Sequence, residues 1–227
     1  MGINKSNGNM YDFVTHTWNA IKGACYHDCS YCYMKRWGKQ NPVRLDQKEL
    51  KADLGNNNFI FVGSSCDMWS EDIPDEWISL TLEHCVRFDN RYLFQSKNPG
   101  RMNTYLRLAT LREQIDCVVC TTIETNRVYP KIMNNSPLPK TRAGFMQLDS
   151  IMPHYVTIEP ILDFDIDPMV DLIKRCNPEQ VNIGADSGNN GLPEPPIDKV
   201  LELIERLKDF TSIYEKKNLN RLLSTKG

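Results

Sequence analysis

Short apolar segments alternate with longer amphipathic segments along most of the chain, and this alternation limits the fold more than any other feature. Each short segment is rich in Val, Ile, Phe or Tyr and is bounded by turn-forming residues, which is typical of β-strands. The six predicted strands cover residues 15–22, 59–63, 91–95, 117–123, 155–159 and 181–184. Strands that alternate with helices form right-handed βαβ units, and such units build one parallel sheet.

The longer segments have the spacing of amphipathic helices, with apolar residues recurring at intervals of three and four. The four predicted helices cover residues 73–88, 98–114, 166–176 and 195–210. Two of them carry a proline near the first turn, Pro99 and Pro196, where a helix tolerates the missing N–H. Residues 127–150 contain three prolines, and we predict a loop followed by a short helix there.

Polar residues cluster directly after the predicted strands. In chain order, the clusters after strands two to six read SSCDMWSED, SKNPGR, ETNR, EPILDFD and ADSGNNG. Functional groups at the carboxyl ends of successive parallel strands are typical of TIM-like barrels. A Rossmann-type sheet would instead carry GxGxxG after its first strand, and this sequence lacks that motif. The sequence therefore predicts an α/β fold, a partial (β/α)6 TIM-like barrel with parallel strands.

We expect a single domain over residues 1–227, with its core at about 15–210 and a polar C-terminal tail at 211–227. The formal net charge of -2 gives no general basic field, so nonspecific coating of nucleic acid is not expected. The start of the chain is polar and the longest apolar runs are the length of a strand, so we expect neither a signal peptide nor a membrane segment. Eight cysteines without an export signal indicate a reducing compartment, and we expect a cytoplasmic protein.

Three cysteines, Cys25, Cys29 and Cys32, lie within eight residues after the first predicted strand. Thiolates suit zinc or an iron–sulfur cluster. A closed structural zinc site needs a fourth ligand, for which His27 and the distant CVVC segment at 117–120 are candidates. That segment lies in a predicted strand, where free cysteines are more often core residues. A cubane cluster with three cysteine ligands and one open iron is the alternative, and it fits the loop better.

The three cysteines are spaced four and three positions apart, Tyr31 directly precedes the last, and the loop ends the first strand of a six-strand β/α pattern. This combination resembles the radical SAM superfamily. The resemblance implies a [4Fe-4S] cluster held by Cys25, Cys29 and Cys32, with Tyr31 at the cofactor. It also implies that S-adenosylmethionine binds the fourth iron and is cleaved reductively to a 5′-deoxyadenosyl radical, which abstracts a substrate hydrogen. The protein's share of such chemistry is to position cofactor and substrate.

Motifs at the other strand ends resemble, more narrowly, a phage-associated and mostly uncharacterised family of radical SAM-like proteins. Its members carry Trp-Asn before the cysteine loop, a Ser/Asp element after strand two, Lys-x-Pro after strand three, Glu-Pro after strand five and Gly-x-(Glu/Asp)-Ser-Gly after strand six. The corresponding residues here are Trp18-Asn19, Ser64 to Asp67, Lys97 to Pro99, Glu159-Pro160 and Gly184 to Gly188. The resemblance covers about residues 15 to 190.

The chain departs from the superfamily at one element. The usual Gly-Gly-Glu after strand two, which holds the amino group of the methionine moiety, is replaced by GSSCDMW. By position, Ser64, Ser65 and Asp67 are the candidates for that role. The resemblance also implies that the ends of strands four and five contact ribose and adenine, which points to Thr122, Glu124 and Glu159.

Three functions remain open at this stage. A radical SAM enzyme acting on a small molecule or nucleotide is favoured, because a minimal barrel leaves its mouth open. A nucleic-acid modification or repair enzyme, loosely similar to spore photoproduct lyase, is the second; the lack of excess basic charge weighs against it and the phage resemblance in its favour. A non-catalytic zinc-binding module is the third. Either enzyme would draw its electron from an external donor such as flavodoxin or ferredoxin.

Overall fold

The computed structural model describes residues 2–7, 11–108, 114–148 and 151–223. The strands in these ranges are β1 Asn4–Lys5, β2 His16–Trp18, β3 Ile21–Lys22, β4 Arg44–Leu45, β5 Phe59–Val62, β6 Arg91–Ser96, β7 Asp116–Thr122, β8 His154–Ile158, β9 Gln180–Ile183 and β10 Ser212–Glu215. Eight of them form one sheet in the order β1-β2-β5-β6-β7-β8-β9-β10. β1 is antiparallel to β2, and every other neighbouring pair in this sheet is parallel.

Helices follow the strands in the order that βαβ units require. The α-helices of the described residues are α1 Asp75–Val86, α2 Pro99–Leu106, α3 Pro130–Met133, α4 Pro139–Gln147, α5 Ile166–Arg175, α6 Ile197–Lys208 and α7 Asn220–Leu223. The four predicted helices correspond to α1, α2, α5 and α6. Part of the second prediction, residues 109–113, lies outside the described residues. The proline-rich stretch forms two short helices, α3 and α4, each beginning at a proline.

The two faces of the sheet pack against different parts of the chain, because alternate strand residues point to opposite faces. On β5, Ile60 and Val62 join the large core that includes buried residues of the helices. Phe61 faces the other way and packs with Tyr11 and Val14 from the segment before β2. The N-terminal segment therefore covers part of the second face, which is also the face that carries the candidate site.

The first predicted strand divides into two pieces. β2 pairs with β5 in the sheet, whereas β3 leaves the sheet and pairs antiparallel with β4. Gly23 follows β3 with a φ of +122° and lies against another backbone segment; a Cβ there would come within 2.6 Å of the Pro42 carbonyl oxygen. Only glycine fits this crossing without strain. The turn directs the following cysteine loop out beyond the end of the sheet.

The predicted fold class is confirmed as an α/β fold with a mostly parallel sheet that resembles part of a TIM barrel. The described residues form an open sheet with edge strands β1 and β10, and the parallel part has seven strands where six were predicted. The prediction of a polar tail at 211–227 missed β10, which pairs with β9 in parallel. Its sequence, Ser-Ile-Tyr-Glu, is short and only half-buried, so it lacks a strong apolar signal. In the described parts of the chain, we find no helix with the length and apolar character needed to cross a membrane.

A candidate cofactor site at the carboxyl ends of the strands

A cavity of about 960 Å³ opens at the carboxyl ends of the parallel strands. Such a volume lies near the upper end of the range for ligand pockets, roughly 300–1,000 Å³. The cavity is lined by all three loop cysteines and by six of the seven residues proposed for the cofactor: Cys25, Cys29, Cys32, Tyr31, Ser64, Ser65, Asp67, Thr122 and Glu159. The seventh, Glu124, is fully buried behind the cavity wall.

The cysteine loop is anchored by the segment that contains α3. The Ser30 amide donates to the Ile132 carbonyl over 2.9 Å, and the Asn135 amide donates to the His27 carbonyl over 3.2 Å. Two side-chain amides add to this anchorage, because Asn134 Nδ2 donates to the Asp28 carbonyl and Asn135 Nδ2 donates to the Tyr26 carbonyl. The loop has little regular structure of its own, so these contacts fix where its cysteines lie.

None of the eight cysteines forms a disulfide, and those of the loop differ in environment. Cys29 is buried, and its Sγ lies 3.2 Å from Ser136 Oγ. Cys25 and Cys32 are half-buried. A hydrogen bond with Cys66 lowers the pKa of Cys25 to about 6, whereas burial raises the pKa of Cys32.

The donor set fits an iron–sulfur cluster better than a single ion. Within the described residues, no three His, Cys, Asp or Glu side chains lie close enough together to hold one metal ion. A zinc site needs its ligands at bonding distance from one point. In a cubane cluster each cysteine binds a different iron, so the ligands need to face a common cavity rather than one point. The three loop cysteines meet that condition.

Asp67 ties the cysteine loop to the end of β6. Its carboxylate accepts hydrogen bonds from the Trp69 amide over 3.0 Å, the Ser96 hydroxyl over 2.9 Å and the Lys97 amide over 2.9 Å. The same carboxylate lies 2.9 Å from His27 Nε2, and this contact raises the pKa of His27 although burial alone would lower it. These partners occupy most of the acceptor sites of a carboxylate. Asp67 therefore lies in the expected place but is largely committed to protein groups.

Ser64 and Ser65 are held by one side chain from the end of β2. The Asn19 Oδ1 atom accepts from the Ser65 amide and from the Ser65 hydroxyl, each over 2.9 Å. Asn19 Nδ2 donates to Ser64 Oγ over 3.2 Å. The Tyr33 hydroxyl adds a hydrogen bond of 2.7 Å to the Ser64 carbonyl. Asn19 thus fixes the shape of the turn after β5 and leaves both serines on the cavity wall.

Glu124 lies at the centre of a buried charged network. Lys97 Nζ is 3.0 Å from Glu124 Oε1, Arg142 Nη1 is 2.7 Å from Glu124 Oε2, and the Tyr31 hydroxyl donates to Oε1. Burial alone would raise the pKa of Glu124, but the two cations outweigh it and lower the pKa to about 2. Burial raises the pKa of Tyr31 well above its usual value. The network keeps Glu124 ionised and fixes the Tyr31 ring against Lys97, whose Nζ lies 5.2 Å from the ring centroid.

Glu159 is held on the cavity wall by residues that the sequence analysis assigned to the polar tail. Lys216 Nζ forms an ion pair with Glu159 Oε2, and Asn218 Nδ2 donates to Oε1 over 2.6 Å. Lys216 also lies over the Tyr11 ring, with its Nζ 4.6 Å from the centroid. Lys216 and Asn218 line the cavity too. The C-terminal segment after β10 is therefore part of the candidate site.

Thr122 belongs to a chain of hydrogen bonds across the inner face. Gln95 Nε2 donates to Thr122 Oγ1 over 3.1 Å, and the Tyr11 hydroxyl donates to Gln95 Oε1 over 2.7 Å. The Tyr11 hydroxyl is also 2.7 Å from Thr157 Oγ1. These contacts place Thr122 at one end of a row of polar side chains that line the cavity.

Sequence reasoning missed three charged or polar residues of this site, namely Arg142, Lys216 and Asn218. Arg142 is fully buried, although arginine is rarely buried without a partner. Its place among apolar positions of α4 was one signal, since the helix turns Arg142 to the same side as Ala143 and Met146, which are buried. No such pattern marks Lys216 or Asn218, which follow a short edge strand.

No protein-family model matches the sequence of this chain. The tRNA-2-methylthio-N(6)-dimethylallyladenosine synthase of Petrotoga mobilis is 24% identical over 196 residues, which make up 78% of this chain and 44% of that protein. The chain thus spans less than half the length of this curated relative.

Solved structures of spore photoproduct lyase have a similar fold. A cysteine-to-serine mutant gives a TM-score of 0.65 at 10% identity, covering 95% of this chain and 79% of that chain. The complex with dinucleoside spore photoproduct gives 0.66, and a double mutant with bound AdoMet and dinucleoside spore photoproduct gives 0.67. At this level of identity the likeness concerns the fold. The chain is thus similar in sequence to part of a tRNA-2-methylthio-N(6)-dimethylallyladenosine synthase and similar in fold to spore photoproduct lyase.

Proposed function

We propose that the protein is a radical SAM enzyme that binds a [4Fe-4S] cluster and S-adenosylmethionine. The observation that carries the proposal is the shared cavity, which is lined by all three loop cysteines and six of the seven cofactor candidates. The resemblance implies both sets, and their members lie far apart in the sequence. The two sets lie together at the carboxyl ends of the parallel strands, and an enzyme of this architecture would hold its reactants there.

Cys25, Cys29 and Cys32 would hold the cluster, which when bound supplies the electron that cleaves S-adenosylmethionine reductively. Ser64 and Ser65, positioned by Asn19, line the cavity, and their hydroxyl oxygens would accept from the amino group of the methionine moiety. Thr122 and Glu159 would accept from the ribose hydroxyls, since both line the cavity. Tyr31 would pack beside the cofactor.

In this proposal, Asp67 and Glu124 do not contact the cofactor directly but position other residues of the site. The Asp67 carboxylate orients His27 and joins the cysteine loop to β6. Glu124 orients Tyr31 and Lys97 from behind the cavity wall. Both would be positioning residues, which hold the groups that line the cavity.

The proposal is tested by anaerobic purification followed by analysis of metal and product. We expect a brown protein with about four irons per chain. Reduction in the presence of S-adenosylmethionine should release 5′-deoxyadenosine. Colourless protein with stoichiometric zinc after anaerobic reconstitution would overturn the proposal and favour the zinc-binding module instead.

A pair of matched variants tests which cysteines bind iron. Cys29→Ala should abolish cluster binding, because Cys29 is one of the three proposed ligands. Cys120→Ala removes a thiol that is buried in β7 beside Thr157 Oγ1, so it should keep its iron and lose only packing. Equal loss of iron in both variants would contradict the ligand assignment.

A nucleotide or nucleic acid is the substrate class that the comparisons support. The curated relative is named for a tRNA nucleoside, and one spore photoproduct lyase structure contains a dinucleoside photoproduct. A nucleic-acid modification or repair activity is therefore the second candidate. The proposal also includes reduction by an external flavodoxin or ferredoxin and a cytoplasmic location. It further includes a single domain over residues 1–227 and kinship with the phage-associated family.

A further inference from the structure

A short segment directly after the cysteine loop, residues 35–39, forms part of the cavity rim and has an unusual composition. This rim segment reads Lys-Arg-Trp-Gly-Lys, and all five residues line the cavity. Trp37 is 77% exposed, more than any other large apolar side chain of the described residues. It ends a 3-10 helix, Tyr33–Trp37, that buries none of its residues. Single exposed apolar side chains are ordinary on protein surfaces, so the combination with cations and a cavity carries the argument.

The cations of the rim segment differ in how far they are neutralised. Lys35 is paired with Asp28 over 2.7 Å. Arg36 donates to the Ser187 carbonyl over 2.5 Å, a neutral partner that holds the side chain in place, and it forms no ion pair with the described part of the chain. Lys39 is exposed and forms no ion pair within the described residues. The rim therefore presents two uncompensated positive charges on either side of an exposed indole.

An indole face beside uncompensated cations is the chemistry that binds unpaired nucleotides. Aromatic rings stack on bases, and nearby Lys and Arg side chains contact the phosphates. A base within a duplex has both faces covered by its neighbours, so only a single-stranded or extruded base can stack on a side chain. The two cations lie at the rim, where phosphates that flank an inserted nucleotide would pass.

We propose that the rim segment binds an unpaired nucleotide of a nucleic-acid strand, with a base stacked on Trp37 and flanking phosphates at Arg36 and Lys39. This inference rests on the proposed function, because it names the substrate class of the same cavity. It assigns a local basic contact to a chain whose formal net charge is -2. The expected footprint is a small number of phosphates rather than a long basic groove.

The test is fluorescence anisotropy with labelled single-stranded DNA and RNA and a matching duplex, using the anaerobically reconstituted full chain. Trp37→Ala should weaken single-strand binding about fivefold or more, and Trp37→Phe should restore most of it. Arg36→Gln with Lys39→Gln should lower the salt dependence of binding by about 0.7 in log–log slope for each lost contact. The matched control, Arg206→Gln with Lys208→Gln on α6, makes the same charge change outside the cavity and should leave binding unchanged.

Several results would overturn the inference. These are no measurable binding of single strands, equal binding of the duplex, equal loss in the α6 control, or competition by polyglutamate that matches competition by single strands. AMP binding as tightly as the oligonucleotide, with the same dependence on Trp37, would assign the rim to a free nucleotide and overturn the polymer claim. Iron content and 5′-deoxyadenosine release are measured separately. Trp37-dependent single-strand binding by a protein that holds no cluster would therefore reject the proposed function and support the rim assignment. A protein that holds the cluster and releases 5′-deoxyadenosine, but does not bind single strands through Trp37, would support the proposed function and reject the rim assignment.

Discussion

Arg142 and Glu124 form an ion pair in which both side chains are fully buried, with 2.7 Å between Nη1 and Oε2. Arg142 also donates to the Pro137 carbonyl over 2.7 Å and to the Thr122 carbonyl over 2.5 Å. One side chain thus joins the end of β7 to the loop before α4. The carboxylate that it compensates in turn orients Tyr31, so the pair connects the protein core to the cysteine loop.

Arg142→Ala should destabilise the protein by about 3–5 kcal/mol, because it leaves Glu124 buried with less compensating charge. The measurement is the free energy of unfolding from urea denaturation. Arg206→Ala is the control, since it breaks an exposed pair with Asp167 and should cost at most about 1 kcal/mol. Similar small losses in both variants would show that the buried pair contributes little.

The stability that Glu124 contributes should depend on pH in a definite direction. Its pKa is lowered from 4.5 to about 2 by Arg142 and Lys97 acting against burial, with Tyr31 as a further partner. A group with a lowered pKa binds protons more readily in the unfolded chain, so its contribution is fully present above about pH 4.5 and is lost as the pH falls towards 2. The stability difference between wild type and Glu124→Gln should therefore shrink over that interval. A difference that stays constant down to pH 2 would refute this account.

Asp67→Ala should destabilise the protein by about 3 kcal/mol, because the carboxylate accepts several buried hydrogen bonds. The cysteine loop should also exchange its amide hydrogens faster, since the variant removes the contact between His27 and β6. Asp53→Ala serves as the control, because Asp53 is exposed and accepts a hydrogen bond from the Gly55 amide. Unchanged exchange in residues 25–37 of Asp67→Ala would contradict the positioning role.

Gly184→Ala should displace Glu159 from the cavity wall. A Cβ at this position would lie 2.8 Å from Asn218 Oδ1 and 2.9 Å from Glu159 Oε1. The side chains of Asn218 and Glu159 would therefore have to move away from the new methyl group. We expect a loss of about 1.5–3 kcal/mol, the size of a hydrogen bond to a charged group, and weaker binding of S-adenosylmethionine. Gly144→Ala in α4 meets no atom within 4 Å and should stabilise the protein by about 0.5–1 kcal/mol. Equal stabilisation of both variants would disprove the crowding argument.

The strands of the fold could be predicted from sequence because their signal is local. β5 to β9 are short apolar runs with turn formers at both ends, and each was expected at nearly its observed place. The cysteine loop was equally accessible, since its spacing lies within eight residues. Parallel strands bring their carboxyl ends together, so the meeting of Cys25 with Thr122 and Glu159 in one cavity follows from topology.

The partners of the site residues could not be predicted in the same way. A buried arginine such as Arg142 and an exposed one such as Arg206 look alike in a sequence, because only long-range packing separates them. Lys216 reaches Glu159 across 57 positions, and no local pattern records that distance. The first strand was predicted as one piece for a related reason. Residues 15–22 contain neither proline nor glycine to mark a break, and the crossing at Gly23 that turns β3 away depends on a backbone segment at Pro42.

The anchorage of the cysteine loop bears on the order in which the protein is assembled. The loop is held by the Ile132 carbonyl, the Asn135 backbone amide and the side-chain amides of Asn134 and Asn135, without using any cysteine sulfur. The shape of the loop therefore has a source in the protein itself. Under the proposed function, folding would come first and delivery of iron second, into a loop that is already positioned.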